Sequence, residues 1–296
     1  MKRSIYLIFT VFFLQSCLAQ PVEKIPTNKD ENTLLWEISS NHLSKPTYLF
    51  GTFHLMCKED IKFSSELKTA IKNAEEVYFE MDLDDPSNTL GALFFMNMKD
   101  GKALKDFYTE TEYTRLKFFF EDSLNMPLTM FEHMKPNFLE AFLYPKMMPC
   151  KKMSGVEEEL MKIAKEQKQE IKGFETIQFQ ASVFDSIPYT SQAKDLLKTI
   201  DNLEMYKKYF DTMLTVYKTQ QLAAMETMFT KNEFGMEENQ DILLDNRNRN
   251  WVEQLNKILP EKNIFMAVGA GHLVGEKGLI ALLRKAGYTL RPLLNK

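Results

Sequence analysis

Histidine is scarce in this 296-residue chain, with four in all, and cysteine is scarcer still at three. No paired Cys-x-x-Cys motifs are present, so a four-thiolate structural zinc site is excluded. There is no phosphate-binding glycine loop and no Gly-x-Ser-x-Gly nucleophile elbow, which removes the commonest nucleotide-binding and serine-hydrolase readings. Basic residues are not in excess: 37 Lys and Arg face 41 Asp and Glu, for a formal net charge of -4. No polybasic footprint therefore points to nucleic acid or to an anionic membrane surface. After the first twenty residues no stretch of about 20 apolar residues occurs, so no further membrane span is expected. Internal repeats and low-complexity segments are also missing.

What remains is an ordinary globular composition, 44% hydrophobic and 26% charged, on a chain long enough to bury a sizeable core. The first residues stand apart. Lys2 and Arg3 precede an apolar run from Ile5 to Leu14 that is too short to span a bilayer, so residues 1–19 read as an export leader. Two endings compete. Leu14-Gln15-Ser16-Cys17 resembles a lipobox, which would lipidate Cys17 and make a periplasmic or cell-envelope lipoprotein of a bacterium. Cys17-Leu18-Ala19 before Gln20 resembles an ordinary signal-peptidase site. Residues 20–32, polar and carrying Pro21 and Pro26, read as a tether before a single domain over 33–296. In an oxidising compartment Cys57 and Cys150 make an even pair suited to a disulfide. Two buried thiols, or Cys57 as a metal ligand, are the alternatives.

The strand and helix signals describe an α/β (α+β) fold. Its central sheet is mixed but mostly parallel, built from the N- and C-terminal thirds, with a large helical insertion between them. Leu34–Ile38 and Thr47–Phe53 read as a hairpin, and a helix capped at Ser64 or Ser65 runs to about Ala74. Val77–Leu83 alternates, with Tyr78, Glu80 and Asp82 on one face. The second strand, the helix and the third strand form a βαβ unit, which predicts a parallel pair. From about 88 to 152, prolines at 127, 136, 145 and 149 divide an all-helical insertion rich in Met and Phe. Those side chains are either core or the wall of an apolar groove. A helix over 157–168, a strand over 170–176 ending near Glu175, and helices over about 188–235 follow. The last third predicts a helix from Gln240 to Leu259 with Arg247 on its apolar face. A fully apolar strand Ile264–Val268, a closing helix, and an edge strand before Pro292 complete the domain.

Two of the four histidines repeat one figure. Tyr48-Leu49-Phe50 enters Gly51-Thr52-Phe53-His54, and Phe265–Val268 enters Gly269-Ala270-Gly271-His272. At this chain's own glycine frequency, 11 in 296 residues, this coincidence would arise by chance roughly once in a hundred tries. Both histidines, with Glu80 and Asp82, fall at carboxyl ends of strands, where open α/β sheets hold their ligands. Two imidazoles and a carboxylate suit zinc, manganese, cobalt or iron, with room left for water. His54, His272 and Glu80 are the candidate metal ligands and are expected to converge within a few ångströms. Glu175 or Asp82 is the candidate general base, and Arg247 either stabilises an oxyanion or locks a carboxylate in place. The bland alternatives are hydrogen-bonded structural histidines, solvated carboxylates and a structural ion pair at Arg247. His42 and His133 read as surface residues.

The runs Leu34–Ile38, Tyr48–His54, Val77–Leu83, Gly173–Thr176, Leu244–Trp251 and Val268–Leu273 together resemble the TraB/GumN family, to which the Tiki proteases belong. The resemblance spans essentially the whole chain after the leader. It implies a fold similar to that of erythromycin esterases and a haem-binding iron-uptake lipoprotein, and a metal-dependent hydrolase acting on a peptide or protein substrate. Carried over by position, the family's two Gly-x-x-His histidines are His54 and His272, and its third-strand glutamate is Glu80. Other members are linked to shutting down peptide pheromones or to exopolysaccharide gene clusters. Without the carboxy-terminal anchor of the animal members, any membrane tether here is expected at the amino terminus. The competing expectation is a binding protein that sequesters a peptide, haem or iron at the same edge.

Overall fold

The computed structural model describes residues 32–82, 84–85, 95–230 and 239–295. The leader, Cys17, most of the tether, Leu83, the start of the helical insertion and the stretch 231–238 lie outside the described residues. Six strands form one sheet in the order β6-β4-β7-β2-β1-β8. They are β1 (Leu35–Ser39), β2 (Thr47–Thr52), β4 (Glu76–Met81), β6 (Glu170–Glu175), β7 (Ile264–Gly269) and β8 (Thr289–Pro292). A separate two-stranded ribbon pairs β3 (Met56–Cys57) with β5 (Met153–Ser154). β1 runs antiparallel to both β2 and β8, whereas the β2–β7, β7–β4 and β4–β6 pairs are parallel. β8 is the edge strand its proline requires.

One expectation is corrected. β2 and β4 run parallel, with the short β3 and helix α1 (Ser65–Asn73) between them in the chain, but they do not pair with each other. β7 lies between them, with Thr52 opposite Gly269 on one side and Phe79 opposite Ala267 on the other. The cause is composition. Ile264, Phe265, Met266, Ala267 and Val268 are all fully buried, and a strand apolar on both faces is stable only where both sheet faces are covered. Burying each large side chain of this strand contributes about 1.5–3 kcal/mol, so an edge position would forfeit most of that.

The helical middle has its own core. Here α2 (Glu110–Phe118) and short helical turns pack against α5 (Tyr189–Asp201), and Leu104, Leu116, Phe120, Leu128, Leu139, Leu143 and Leu196 are fully buried. Met98, Met134 and Met147 belong to the same cluster, so these Met and Phe side chains are core packing. Helix α3 (Val156–Glu166) precedes β6, and α4 (Ile177–Asp185) follows it. The apolar stripe from Leu196 to Tyr217 is divided at Asn202 between α5 and α6 (Leu203–Lys218), with α7 (Leu222–Thr230) next. A wide π-turn over Asp241–Asp245 leads into α8 (Asn246–Ile258), and α9 (Leu279–Lys285) packs before β8. No helix among the described residues is long and apolar enough to cross a membrane.

Cys57 and Cys150 form a disulfide with a Cα–Cα distance of 5.8 Å, beside the β3–β5 ribbon. It closes a loop 93 residues long in sequence and ties the chain just after His54 to the segment leading into α3. Reducing it, or replacing both cysteines by serine, is expected to lower the unfolding free energy by about 2–4 kcal/mol. Urea unfolding of the oxidised and reduced protein measures this directly. Coincident curves would show that the ribbon holds without its staple.

Candidate metal centre

The register of β2, β7 and β4 delivers three chain segments to one carboxyl edge. At its centre is Gly269, the last residue of β7. A Cβ built on Gly269 would lie 3.2 Å from Glu80 Oε1, 3.6 Å from His54 Nε2 and 3.7 Å from His272 Cδ2. The missing side chain thus leaves a small gap walled by all three residues that the sequence singles out. The Gly269 N–H also donates to Glu80 Oε1 at 2.8 Å.

The three are not equally close. His272 Nε2 stands 3.7 Å from Glu80 Oε1, and His54 faces them across the gap. Among the described residues, the one set of at least three His, Cys, Asp or Glu ligand atoms lying within 4.8 Å of one another is Cys57, Glu59 and Cys150. Its two sulfurs are spent in the disulfide, which also removes Cys57 as a metal ligand. His54, Glu80 and His272 are therefore an open set rather than a closed coordination sphere. As a donor set they still fit a divalent ion: two imidazole nitrogens and a carboxylate border a gap that only a glycine leaves.

Arg247 dominates the electrostatics. Its Nη2 donates to Glu80 Oε2 (2.6 Å) and Glu175 Oε2 (2.8 Å), and its Nε to Glu175 Oε1 (3.0 Å). Its Nη1 donates to the Leu243 carbonyl (2.9 Å) and lies 3.2 Å from His272 Nε2. All five guanidinium N–H groups are thereby engaged. Of the two roles open to Arg247 in the sequence, this geometry is that of the carboxylate lock. The π-turn before α8 sets this inward aim, a common position for such turns.

Glu175, the final residue of β6, is almost fully buried and has both oxygens occupied. Trp251 Nε1 donates to Oε1 (2.9 Å) and Gln180 Nε2 to Oε2 (3.1 Å), in addition to Arg247. Such a carboxylate is an anchor for Arg247, which counts against the base role that the sequence also offers it. Asp82 lies just beyond β4 and accepts the N–H of Asp84 at 3.3 Å. Burial, with the Asp84 carboxyl beside it, raises Asp82 above its ordinary value.

The two histidines sit in opposite environments. His272 is buried, with its ring 4.4 Å from that of Trp251. Burial and the Arg247 charge push it down to about 3 against the pull of Glu80, so it is neutral at physiological pH. His54 is 73% exposed at its side chain and pairs through Nδ1 with Glu157 Oε1 at 2.7 Å. Desolvation opposes its charge, but Glu157, with Glu80 behind it, pushes it up to about 9. Burial alone would raise the Glu80 carboxyl. His272, Arg247, His54 and the Gly269 N–H instead hold it well below the usual carboxylate range. His42 and His133 are exposed.

The sequence reading missed Glu157, Gln180 and Asn248. Asn248 is buried, with its Oδ1 at 2.6 Å from His272 Nδ1, and Gln180 bridges Glu80 and Glu175. Asn248 carried a faint signal, since a polar residue next to Arg247 shares its inward helical turn. Glu157 carried none, as one of three consecutive glutamates on a charged helix.

This fold and edge define a class. The chain belongs to the TraB/PrgY/gumN family, whose profile matches residues 34–292. Among curated relatives it is 25% identical over 325 residues to Metalloprotease TIKI1 of Homo sapiens, covering 89% of this chain and 62% of that protein. To Metalloprotease TIKI1 of Xenopus tropicalis it is 24% identical over 319 residues, covering 87% and 61%. A shorter match, 30% over 96 residues, reaches Metalloprotease TIKI2 of Danio rerio and covers 32% and 18%. The chain spans less than two thirds of the length of each of these relatives.

Proposed function

We propose that this protein is an exported, metal-dependent hydrolase of peptidase type that acts on a peptide or protein substrate. Its divalent ion, zinc, manganese, cobalt or iron, would be held by His54, His272 and Glu80. The observation that carries the reading is the convergence at Gly269, where the three atoms nearest to an added Cβ belong to Glu80, His54 and His272. Relatives named as metalloproteases support the same chemistry.

Such an ion supplies Lewis acidity toward a carbonyl oxygen and toward water. The chain's own residues divide the remaining work. Arg247 keeps Glu80 ionised and fixed, because a guanidinium cannot be neutralised and its fork holds two carboxylates in one geometry. Glu175, Trp251 and Gln180 fix Arg247 in turn. Asp82, with its raised carboxyl at the same strand exit, is the residue suited to take up a proton. Cys17 is the attachment point for a lipid if the leader is processed as a lipobox.

The decisive test compares wild type with Gly269→Ala. Gly269 has φ −49° and ψ 135°, a conformation open to alanine, so the new methyl group fills the gap without backbone strain. The expected outcome is a loss of at least tenfold in zinc affinity and in cleavage of a peptide library, with thermal unfolding little changed. Elemental analysis of protein purified without added metal accompanies it. A wild type that neither retains metal nor cleaves under metal supplementation would refute the reading.

A further inference from the structure

His54 and His272 come from different strands and differ in exposure, yet both rings are fixed in one sense: Nδ1 is held from behind. For His272 the hydrogen bonds determine where the proton sits. Arg247 Nη1 can only donate, so His272 Nε2, 3.2 Å away, must offer its lone pair. The ring proton is then on Nδ1, 2.6 Å from Asn248 Oδ1. The orientation of the Asn248 amide is fixed as well, because its Nδ2 donates to the Lys277 carbonyl at 2.9 Å. The chain of donors from Arg247 to Lys277 runs in one direction and admits one tautomer.

For His54 the partner is a carboxylate, which has only lone pairs to give, so Nδ1 carries a proton in either charge state of the ring. Glu157 is itself immobilised. The Thr52 hydroxyl, from the end of β2, donates to the same Oε1 at 2.5 Å. The Val156 N–H donates to the Phe53 carbonyl at 3.1 Å, and the Lys58 N–H to the Lys152 carbonyl at 3.0 Å. The Gly155 backbone passes so close that an added Cβ would stand 2.7 Å from the His54 carbonyl oxygen. The nearby disulfide closes this second contact covalently.

We propose that Glu157 and Asn248 are positioning residues for the metal: by binding the two Nδ1 protons they keep both Nε2 lone pairs unprotonated, that of His54 facing Gly269 and that of His272 on Arg247 Nη1, a hydrogen bond an ion would have to replace. The inference rests on the metal-hydrolase reading and adds to it the residues that preorganise the ligands. Partners of this kind fix ring orientation and tautomer, and their loss typically reduces metal affinity about 10–100-fold.

The test uses Zn²⁺ alone, in competition with a chromophoric chelator, on the full chain and its Glu157→Ala, Glu157→Gln and Asn248→Leu variants. Thermal unfolding of each variant is the control for folding. Glu157→Ala and Asn248→Leu are expected to bind about 10–100-fold more weakly. Glu157→Gln, whose amide oxygen still accepts from Nδ1, is expected to recover most of the loss. In parallel, nitrogen-edited NMR of metal-free wild type should place the His272 proton on Nδ1. A wild-type His272 protonated on Nε2 overturns the proposal, as do folded Glu157→Ala and Asn248→Leu proteins that bind Zn²⁺ within twofold of wild type. If Asn248→Leu does not fold, the wild-type spectrum and the Glu157 pair decide. A wild type that shows the Nδ1 proton but binds no zinc refutes the metal reading, and with it the metal-positioning role.

Discussion

Replacing Arg247 by methionine will lower the unfolding free energy by about 3–5 kcal/mol, the usual effect of removing one partner from a buried ionic network. Methionine approximates the length of the arginine stem, so the loss reports on the guanidinium, including its position 5.0 Å from the Trp251 ring centroid. What remains is Glu80 and Glu175, both largely buried, with their shared cation gone. Arg247→Lys will recover only part of the difference. An ammonium offers three donors from a point, whereas Arg247 uses five N–H groups in a plane to reach two carboxylates, one carbonyl and one imidazole. Combining Arg247→Met with Glu80→Gln and Glu175→Gln will be less damaging than the three single effects summed, because the uncompensated charges go together. Urea denaturation followed by circular dichroism gives these values. A loss below about 1 kcal/mol for Arg247→Met, the range of exposed pairs, would show that solvent reaches the network.

The metal-free protein will lose stability as pH falls from about 6.5 toward 3. His272 binds its proton near pH 3 when folded and near 6.5 when unfolded, so across that window the unfolded state holds more protons. Stability therefore rises with pH there, and the contribution is complete above 6.5. Glu80, held below its ordinary carboxylate value, adds a loss of the same sign at the acid end. Two groups oppose or limit the trend. Glu140, pushed up to about 8 by burial and by Asp195, favours the folded state more as pH falls between 8 and 4.5. His54 contributes below pH 6.5 and loses its share as pH rises through 9, with solvent screening a side chain so exposed. The His272 share, on the order of several kcal/mol, is isolated by comparing wild type with His272→Gln, which does not titrate. The wild-type melting temperature is expected to fall more steeply than that of His272→Gln between pH 6.5 and 4. Parallel curves would mean that the folded ring protonates freely.

The Gly-x-x-His figures, the alternation around Glu80 and the inward Arg247 could be read from sequence because each rests on a local periodicity. The apolar run at 264–268 predicted a buried parallel strand for the same reason. The position of that strand between β2 and β4 could not be read, since a βαβ unit fixes direction and handedness but not what is inserted between its strands. Asn248 and Glu157 were hidden for a different cause. Their roles depend on a histidine more than twenty or a hundred residues away, at which the turn shared with Arg247 only hints for Asn248 and which nothing near Glu157 reports. The role of Glu175 changed because its partners Trp251 and Gln180 arrive from separate helices.

The central placement of β7 also bears on the order of events in folding. Glu80 and the Gly269 N–H are 189 residues apart, and no earlier strand can substitute for the one that carries Gly269. The edge that gathers the histidines is therefore created by a late, long-range closure rather than by a local turn, a step that is slow by its nature. Until the last forty or so residues have been made and inserted, His54 and Glu80 face an empty slot in the sheet. A growing chain thus lacks this edge through most of its synthesis, and the edge is completed at once, when the fifth strand of the sheet in chain order is drawn into the middle.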